Sequence, residues 1–191
     1  EVAPDAKSTY EADIILKIEP PNDEEILMLK PKQTLIAAMQ LTVHPENYIK
    51  NLMKQKVTAI AWDYISDEDG ILPIVRSMGE IAGTTSILIA AEYLSNSDGQ
   101  GIMLGGITGV APTQVVIIGA GTVGEFAART ALGLGADVRV FDNSLTKLRR
   151  LQNSLDQRIY TSTIQPKILA KSLMRCDVAI GAVRSSGVKS P

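Results

Sequence analysis

Alternating strand-like and helix-like signals predict an α/β fold built on parallel sheets. Three observations carry that expectation. Short apolar runs alternate with helix-start signatures through residues 13–62. The apolar run Val115–Ile118 leads straight into a glycine-rich turn and a helix-like segment. A further run, Asp137–Phe141, alternates and ends beside a carboxylate, Asp142. Strands joined through helices belong to parallel βαβ units. After a polar break at Ser66–Gly70, a boundary near residue 75 divides the chain into residues 1–75 and 76–191, so the expected architecture is two Rossmann-like parallel-sheet domains, both incomplete.

The elements follow in order. Asp13–Ile18 reads as a short buried strand. Asn22 and Glu25 stand at capping-box distance and open a helix over Asn22–Leu29. Thr34–Met39 is the next strand, and Pro45 suits the first position of a helix over Pro45–Lys54. Val57–Trp62 closes the series. Ser66–Gly70 is a polar turn, and Asp67, Glu68 and Asp69 read as solvated acids rather than a metal site. Ser77 and Glu80 have capping spacing, which predicts a long apolar helix from there to about Leu94. The glycine-rich stretch Ser95–Val110 is a linker or elaborated loop. After Asp142, a helix is expected over Ser144–Asn153, a strand over Arg158–Thr161, a helix from Pro166 to about Arg175, and a strand over Asp177–Val183. A Rossmann sheet ordinarily continues further, so this domain is expected to be cut short at its C-terminal end.

Gly119-Ala120-Gly121-Thr122-Val123-Gly124 follows its strand and precedes its helix, the context that gives a GxGxxG pattern physical meaning. Gly119 permits the tight turn, Gly121 lets a pyrophosphate approach the backbone, and Gly124 lets helix and strand pack closely. Phosphate would then rest on unpaired N–H groups at the positive end of the helix. Thr122 and Glu125 stand at capping-box spacing, consistent with a helix start. Asp142 lies eighteen residues past Gly124, near the roughly 20 expected for an acid that bonds the adenosine ribose. Its charge would repel a 2′-phosphate and so favours NAD, although Arg139, Lys147 and Arg149 are close in sequence. Glycines alone could mark a plain turn, with Asp142 capping the next helix; strand, helix and spaced acid together favour the dinucleotide. Ligands of open α/β sheets bind beyond the carboxyl ends of the strands. That rule adds the segment from Gly181 to Arg184, with Ala182 and Val183 as cofactor contacts.

Composition narrows the alternatives. Of 191 residues, 45% are hydrophobic and 21% charged, and the net charge of −2 leaves no basic footprint for nucleic acid. Aromatic residues are only 4%, too few for base-stacking platforms. One cysteine, Cys176, and one histidine, His44, exclude a disulfide framework and make a Cys/His metal site improbable. Cys176 reads as a small packed residue, Trp62 and Tyr64 as packing residues at a sheet edge or interface. No apolar run reaches the ~18 residues of a spanning helix, so a cytoplasmic protein with no membrane partner is expected. The start at Glu1 and the end at Pro191 suggest a fragment.

The stretch Gly119–Arg129, with Val140–Ser144 and Lys147–Leu151, resembles the alanine dehydrogenase family, and the alpha subunit of nicotinamide nucleotide transhydrogenase shares much of the pattern. The likeness extends to Asp13–Ile18, Met78–Gly83, Gly105–Val110 and Asp177–Val183. It implies reversible deamination of L-alanine to pyruvate and ammonia with hydride passed to NAD, in a homo-oligomer, commonly a hexamer. Carried over by position, residues 1–75 become part of the substrate domain and residues 76–191 the NAD-binding domain. Lys17 would bind or polarise the pyruvate carbonyl or carboxylate; by itself it reads as a lysine reaching out from a strand end. The family's histidine falls at Gln40, within Met39-Gln40-Leu41, and glutamine can hydrogen-bond a substrate but cannot shuttle a proton near neutral pH. His44 reads as a helix-start or surface residue. Family members carry a substrate-binding arginine in an earlier stretch and a catalytic aspartate in a later one, neither of which is among these residues. The chain is therefore expected to hold about half of an active site and to be inactive alone. The alternatives are the transhydrogenase subunit and an NAD-binding module without turnover.

Overall fold

The computed structural model describes residues 2–96, 99–155 and 157–183. The chain divides into two compact units, Glu1–Val75 and Arg76–Pro191.

The smaller unit opens with a single helical turn, α1 (Ala6–Thr9), which the sequence reading did not anticipate. Then come β1 (Ile14–Leu16), α2 (Asp23–Met28), β2 (Thr34–Ala37), α3 (Glu46–Lys54) and β3 (Thr58–Ala61), the last running into a 3-10 turn at Trp62–Tyr64. The three strands are parallel in the order β1-β2-β3. The capping box at α2 is complete: Asn22 Oδ1 accepts from Glu25 N, and Glu25 Oε2 accepts from Asn22 N. Pro45 stands one residue outside α3, as its N-cap. Buried Gln33 joins the parts, its amide nitrogen donating to the Tyr10 and Ala12 carbonyls at 2.7 Å each and its oxygen accepting from Lys30 N at 2.6 Å.

β1 is not the buried strand that its sequence suggests. Both crossovers, β1-α2-β2 and β2-α3-β3, run in the same direction. Right-handed connections therefore place both helices on one face. Ile15, Leu35 and Ala37 turn to that face and join Ile26, Leu29, Tyr48 and Leu52 in a core. Ile14 and Leu16 turn the other way and are 62% and 74% exposed within this chain.

The larger unit begins with α4 (Pro73–Ser95), then β4 (Gln114–Ile118), α5 (Thr122–Gly133), β5 (Asp137–Phe141), α6 (Leu145–Ser154), β6 (Tyr160–Ser162), α7 (Pro166–Leu173) and β7 (Val178–Gly181). Its sheet is parallel in the order β6-β5-β4-β7. β4 is central, and Val115, Val116 and Ile117 are wholly buried. Covering one such side chain is worth about 1.5–3 kcal/mol. Ser77 and Glu80 do not open α4 as expected. The helix starts earlier, at Pro73, whose fixed φ suits a first turn, and Glu80 pairs with Arg76 instead. No helix among the described residues is long and apolar enough to cross a membrane.

α4 crosses α5 at Gly83. A Cβ there would collide with the Val123 carbonyl oxygen and lie 2.9 Å from Phe126 Cβ. Gly83→Ala should therefore lower the urea midpoint by the equivalent of about 1–3 kcal/mol, the usual cost of overpacking. An unchanged midpoint would show that the two helices can part without cost.

Candidate functional site

In the larger unit, the turn after β4 is made from backbone meeting backbone. Gly119 adopts φ +114°, and its N–H donates to the Phe141 carbonyl at 2.6 Å. A Cβ on Gly119 would strike the Ala182 carbonyl, and one on Gly124 would strike the Gly119 carbonyl. Gly121 differs: a Cβ there would meet nothing within 4 Å. That position faces open space, so glycine there leaves room beside the amino end of α5.

Gly121 is the N-cap of α5, and among the described residues no side chain caps the helix. The expected Thr122–Glu125 box does not form. Glu125 turns instead to Arg129 at 3.2 Å and Arg150 at 3.9 Å. Among the described residues, the first N–H groups of α5 therefore have no partner and can bind an anion.

Asp142 follows the end of β5 and is buried. Its Oδ2 accepts from Ala120 N at 2.7 Å and its Oδ1 from Ser144 N at 2.7 Å, and Ser144 in turn caps α6. Each oxygen keeps a further lone pair. Ala182 and Val183 emerge from β7 beside the turn, with Ala182 N donating to the Ile118 carbonyl at 2.7 Å. Gly119 to Gly124, Asp142, Ala182 and Val183 thus gather at the carboxyl ends of β4, β5 and β7. Between β4 and β7 the strand order reverses, the usual place for a ligand crevice. Arg184 lies outside the described residues.

Of the cations near Asp142 in sequence, Arg139 is not at the strand end. It sits mid-strand in register with Tyr160 and bonds Asp137. The sequence reading missed Arg150, whose guanidinium donates to the Ala120 carbonyl at 3.3 Å. Its position in the second turn of α6 gave no signal, because only the packing of α6 brings it to the glycine turn.

In the smaller unit, Lys17 and Gln40 both lie past the carboxyl ends of adjacent strands, β1 and β2. Lys17 Nζ pairs with Glu25 Oε2 at 2.5 Å, and its carbonyl accepts from Trp62 Nε1 at 3.2 Å. Gln40 is exposed and takes φ +43°, uncommon for a residue with a Cβ. Asp63 holds it there, accepting from Met39 N at 2.9 Å and Gln40 N at 3.0 Å. Neither Glu25 as partner of Lys17 nor Asp63 as clamp was anticipated, although the capping box had already marked Glu25. His44 stacks on Tyr48 with ring centroids 4.0 Å apart. Cys176 donates to the Leu173 carbonyl, and burial pushes its thiol up, away from nucleophilic use.

Burial pushes the Glu25 carboxyl up, but the hydrogen bond from Lys17, the Asn22 amide and the Lys17 charge outweigh it and leave it below its ordinary 4.5. Burial, then the Glu25 charge, pushes Tyr10 up to about 12. Glu25→Gln keeps an oxygen for the Asn22 amide and removes the ion pair, whereas Glu25→Ala removes both. Alanine should cost about 1–2 kcal/mol and glutamine less. Because the folded carboxyl titrates below its unfolded value, the pairing contributes above about pH 4.5 and is lost as pH falls through the lower folded value. Urea titrations at stepped pH should show the native protein's advantage over Glu25→Gln closing in acid; an advantage that persists there would exclude the ion pair as its source.

The profile of the alanine dehydrogenase/PNT N-terminal domain matches residues 1–82, and that of the C-terminal domain matches residues 86–191. An alanine dehydrogenase of Mycolicibacterium smegmatis is 37% identical over 182 residues, covering 95% of this chain and 49% of that protein. A solved L-alanine dehydrogenase superposes with a TM-score of 0.84 at 31% identity, over 100% of this chain and 53% of the other. A transhydrogenase from Sinorhizobium meliloti has the same fold, with a TM-score of 0.75 at 23% identity over 97% of this chain and 54% of the other. The chain spans about half the length of the curated relatives it matches. With both domain profiles matched in order, the chain belongs to the alanine dehydrogenase/PNT family.

Proposed function

We propose that this chain forms part of an NAD-dependent dehydrogenase that reversibly deaminates L-alanine to pyruvate and ammonia. The observation that carries the reading is the uncapped amino end of α5 beside open space at Gly121, in a chain of this family. The free amides of Thr122, Val123 and Gly124 would take the dinucleotide's pyrophosphate, and Ala120, Ala182 and Val183 would line its path. Asp142 would accept from a ribose hydroxyl on its remaining lone pairs and repel a 2′-phosphate, which favours NAD over NADP. NAD, when bound, supplies the hydride acceptor.

Lys17 would bring its ammonium to the substrate's carboxylate or carbonyl oxygen, where a positive charge stabilises developing negative charge. Glu25 would fix where that ammonium sits. Gln40 would hydrogen-bond the substrate and leave proton transfer to another group, since an amide does not titrate near neutral pH. Residues 1–75 would then serve the substrate and residues 76–191 the cofactor. The same reading carries a homo-oligomer, with a hexamer expected, working in the cytoplasm.

The full-length protein supplied with NAD and L-alanine should form NADH, followed at 340 nm, and should form none with lactate. NADH binding without alanine turnover would overturn the dehydrogenase and leave a transhydrogenase-type subunit or an inert NAD-binding module. Two glycine variants separate binding from folding. Gly121→Ala should weaken NADH binding at least tenfold, about 1.4 kcal/mol, with its urea midpoint unchanged. Gly124→Ala should lower the midpoint itself. Unaltered NADH affinity in Gly121→Ala would remove the glycine turn from the cofactor site.

A further inference from the structure

The larger unit has a second concavity that the dinucleotide reading does not use. α5 and α6 carry the chain from β4 to β5 to β6 in one direction, whereas α7 returns across the sheet to β7. Right-handed crossovers therefore put α7 on the face opposite α5. A cavity of about 450 Å³ lies there, lined by Arg139, Lys167, Lys171 and Arg175, with Tyr160 and Ile168 supplying apolar wall. Among the described residues no carboxylate lines it.

The four cations arrive from two elements. Arg139 comes from the middle of β5. Its guanidinium carbon lies 5.3 Å from the centre of the Tyr160 ring; one terminal nitrogen pairs with Asp137 at 3.4 Å, and its buried Nε has no hydrogen-bond partner among the described residues. Lys167, Lys171 and Arg175 recur every four residues, so the two lysines share one stripe of α7 and Arg175 continues its direction just past the helix end. None of the three makes an ion pair among the described residues. Solvated helix faces interleave acids with bases, but α7 contains no acid at all. Like charges at this spacing repel, and Lys167 sits in the first turn, against the helix dipole. A bound anion would relieve each of these unfavourable terms.

We infer that this cavity binds a small phosphorylated molecule carrying at least two negative charges. One carboxylate would leave most of the positive charge unanswered. Phosphate oxygens suit both the planar fork of Arg139 and the point charges of the lysines. The volume admits a small molecule, and a chain of net charge −2 offers no extended track for a nucleic acid. The site is distinct from the glycine turn, which lies at the carboxyl ends of the strands and leads into the helix on the other face.

Calorimetric titration of the full-length protein with inorganic pyrophosphate tests the assignment. Lys171→Ala and the double variant Lys167→Ala/Arg175→Ala change exposed side chains and should each weaken binding at least tenfold. Gly121→Ala should leave it unchanged. Absence of binding at millimolar pyrophosphate would overturn the inference. So would binding untouched by the cationic variants, or binding lost in Gly121→Ala, which would assign the pyrophosphate to the glycine turn.

Discussion

The larger unit depends on one close approach of backbone to backbone at Gly119. Its N–H bonds the Phe141 carbonyl at the end of β5. Its carbonyl meets α5 at Gly124, and the Ala182 carbonyl beyond β7 occupies the space where a Cβ would stand. Three strand ends and one helix start are thus fixed around a residue with no side chain and a φ of +114°. Any other residue would have to push the strands apart or abandon the left-handed backbone. The same packing leaves the amino end of α5 with no side-chain cap among the described residues.

Both sheets solve the problem of a loop at the carboxyl edge in the same way. Each uses one carboxylate to gather backbone amides. Asp142 takes those of Ala120 and Ser144, and Asp63 takes those of Met39 and Gln40. Charged acceptors make stronger hydrogen bonds than neutral ones, so two such bonds can hold a turn that would otherwise sample many conformations. At Gln40 the bonds also offset a left-handed backbone that a residue with a Cβ adopts at some cost. Glu25 serves a comparable double purpose, closing the capping box of α2 and anchoring Lys17.

Charge is distributed unevenly over the larger unit. Glu125 satisfies Arg129 and Arg150 beside the glycine turn, whereas the stripe on α7 is left without acids. A protein near neutrality overall can therefore carry a locally cationic cavity, and net charge conceals it.

The sequence by itself determined the elements, α1 apart, and the glycine turn. Strand-to-helix alternation, the Asn22 capping box, and Gly119, Gly121 and Gly124 with Asp142 at its spacing are all local patterns. Each has a backbone reason that does not depend on distant residues. Element ends were legible to within a few residues, except where a neighbour outcompeted a local signal, as when Pro73 started α4 ahead of Ser77. Tertiary structure decided which distant partners the polar side chains of the site take. Glu125 left its expected capping role for two arginines, Arg139 turned to Tyr160 and away from Asp142, and Arg150, Asp63 and Glu25 acquired partners that no spacing rule contains. Sheet order likewise decided that β1 is an edge strand with one face bare. The physical reason is common to all of these. Local hydrogen bonding and steric limits act over three or four residues and can be read along the chain, but the partner of a charge is set by which surfaces the crossovers bring together.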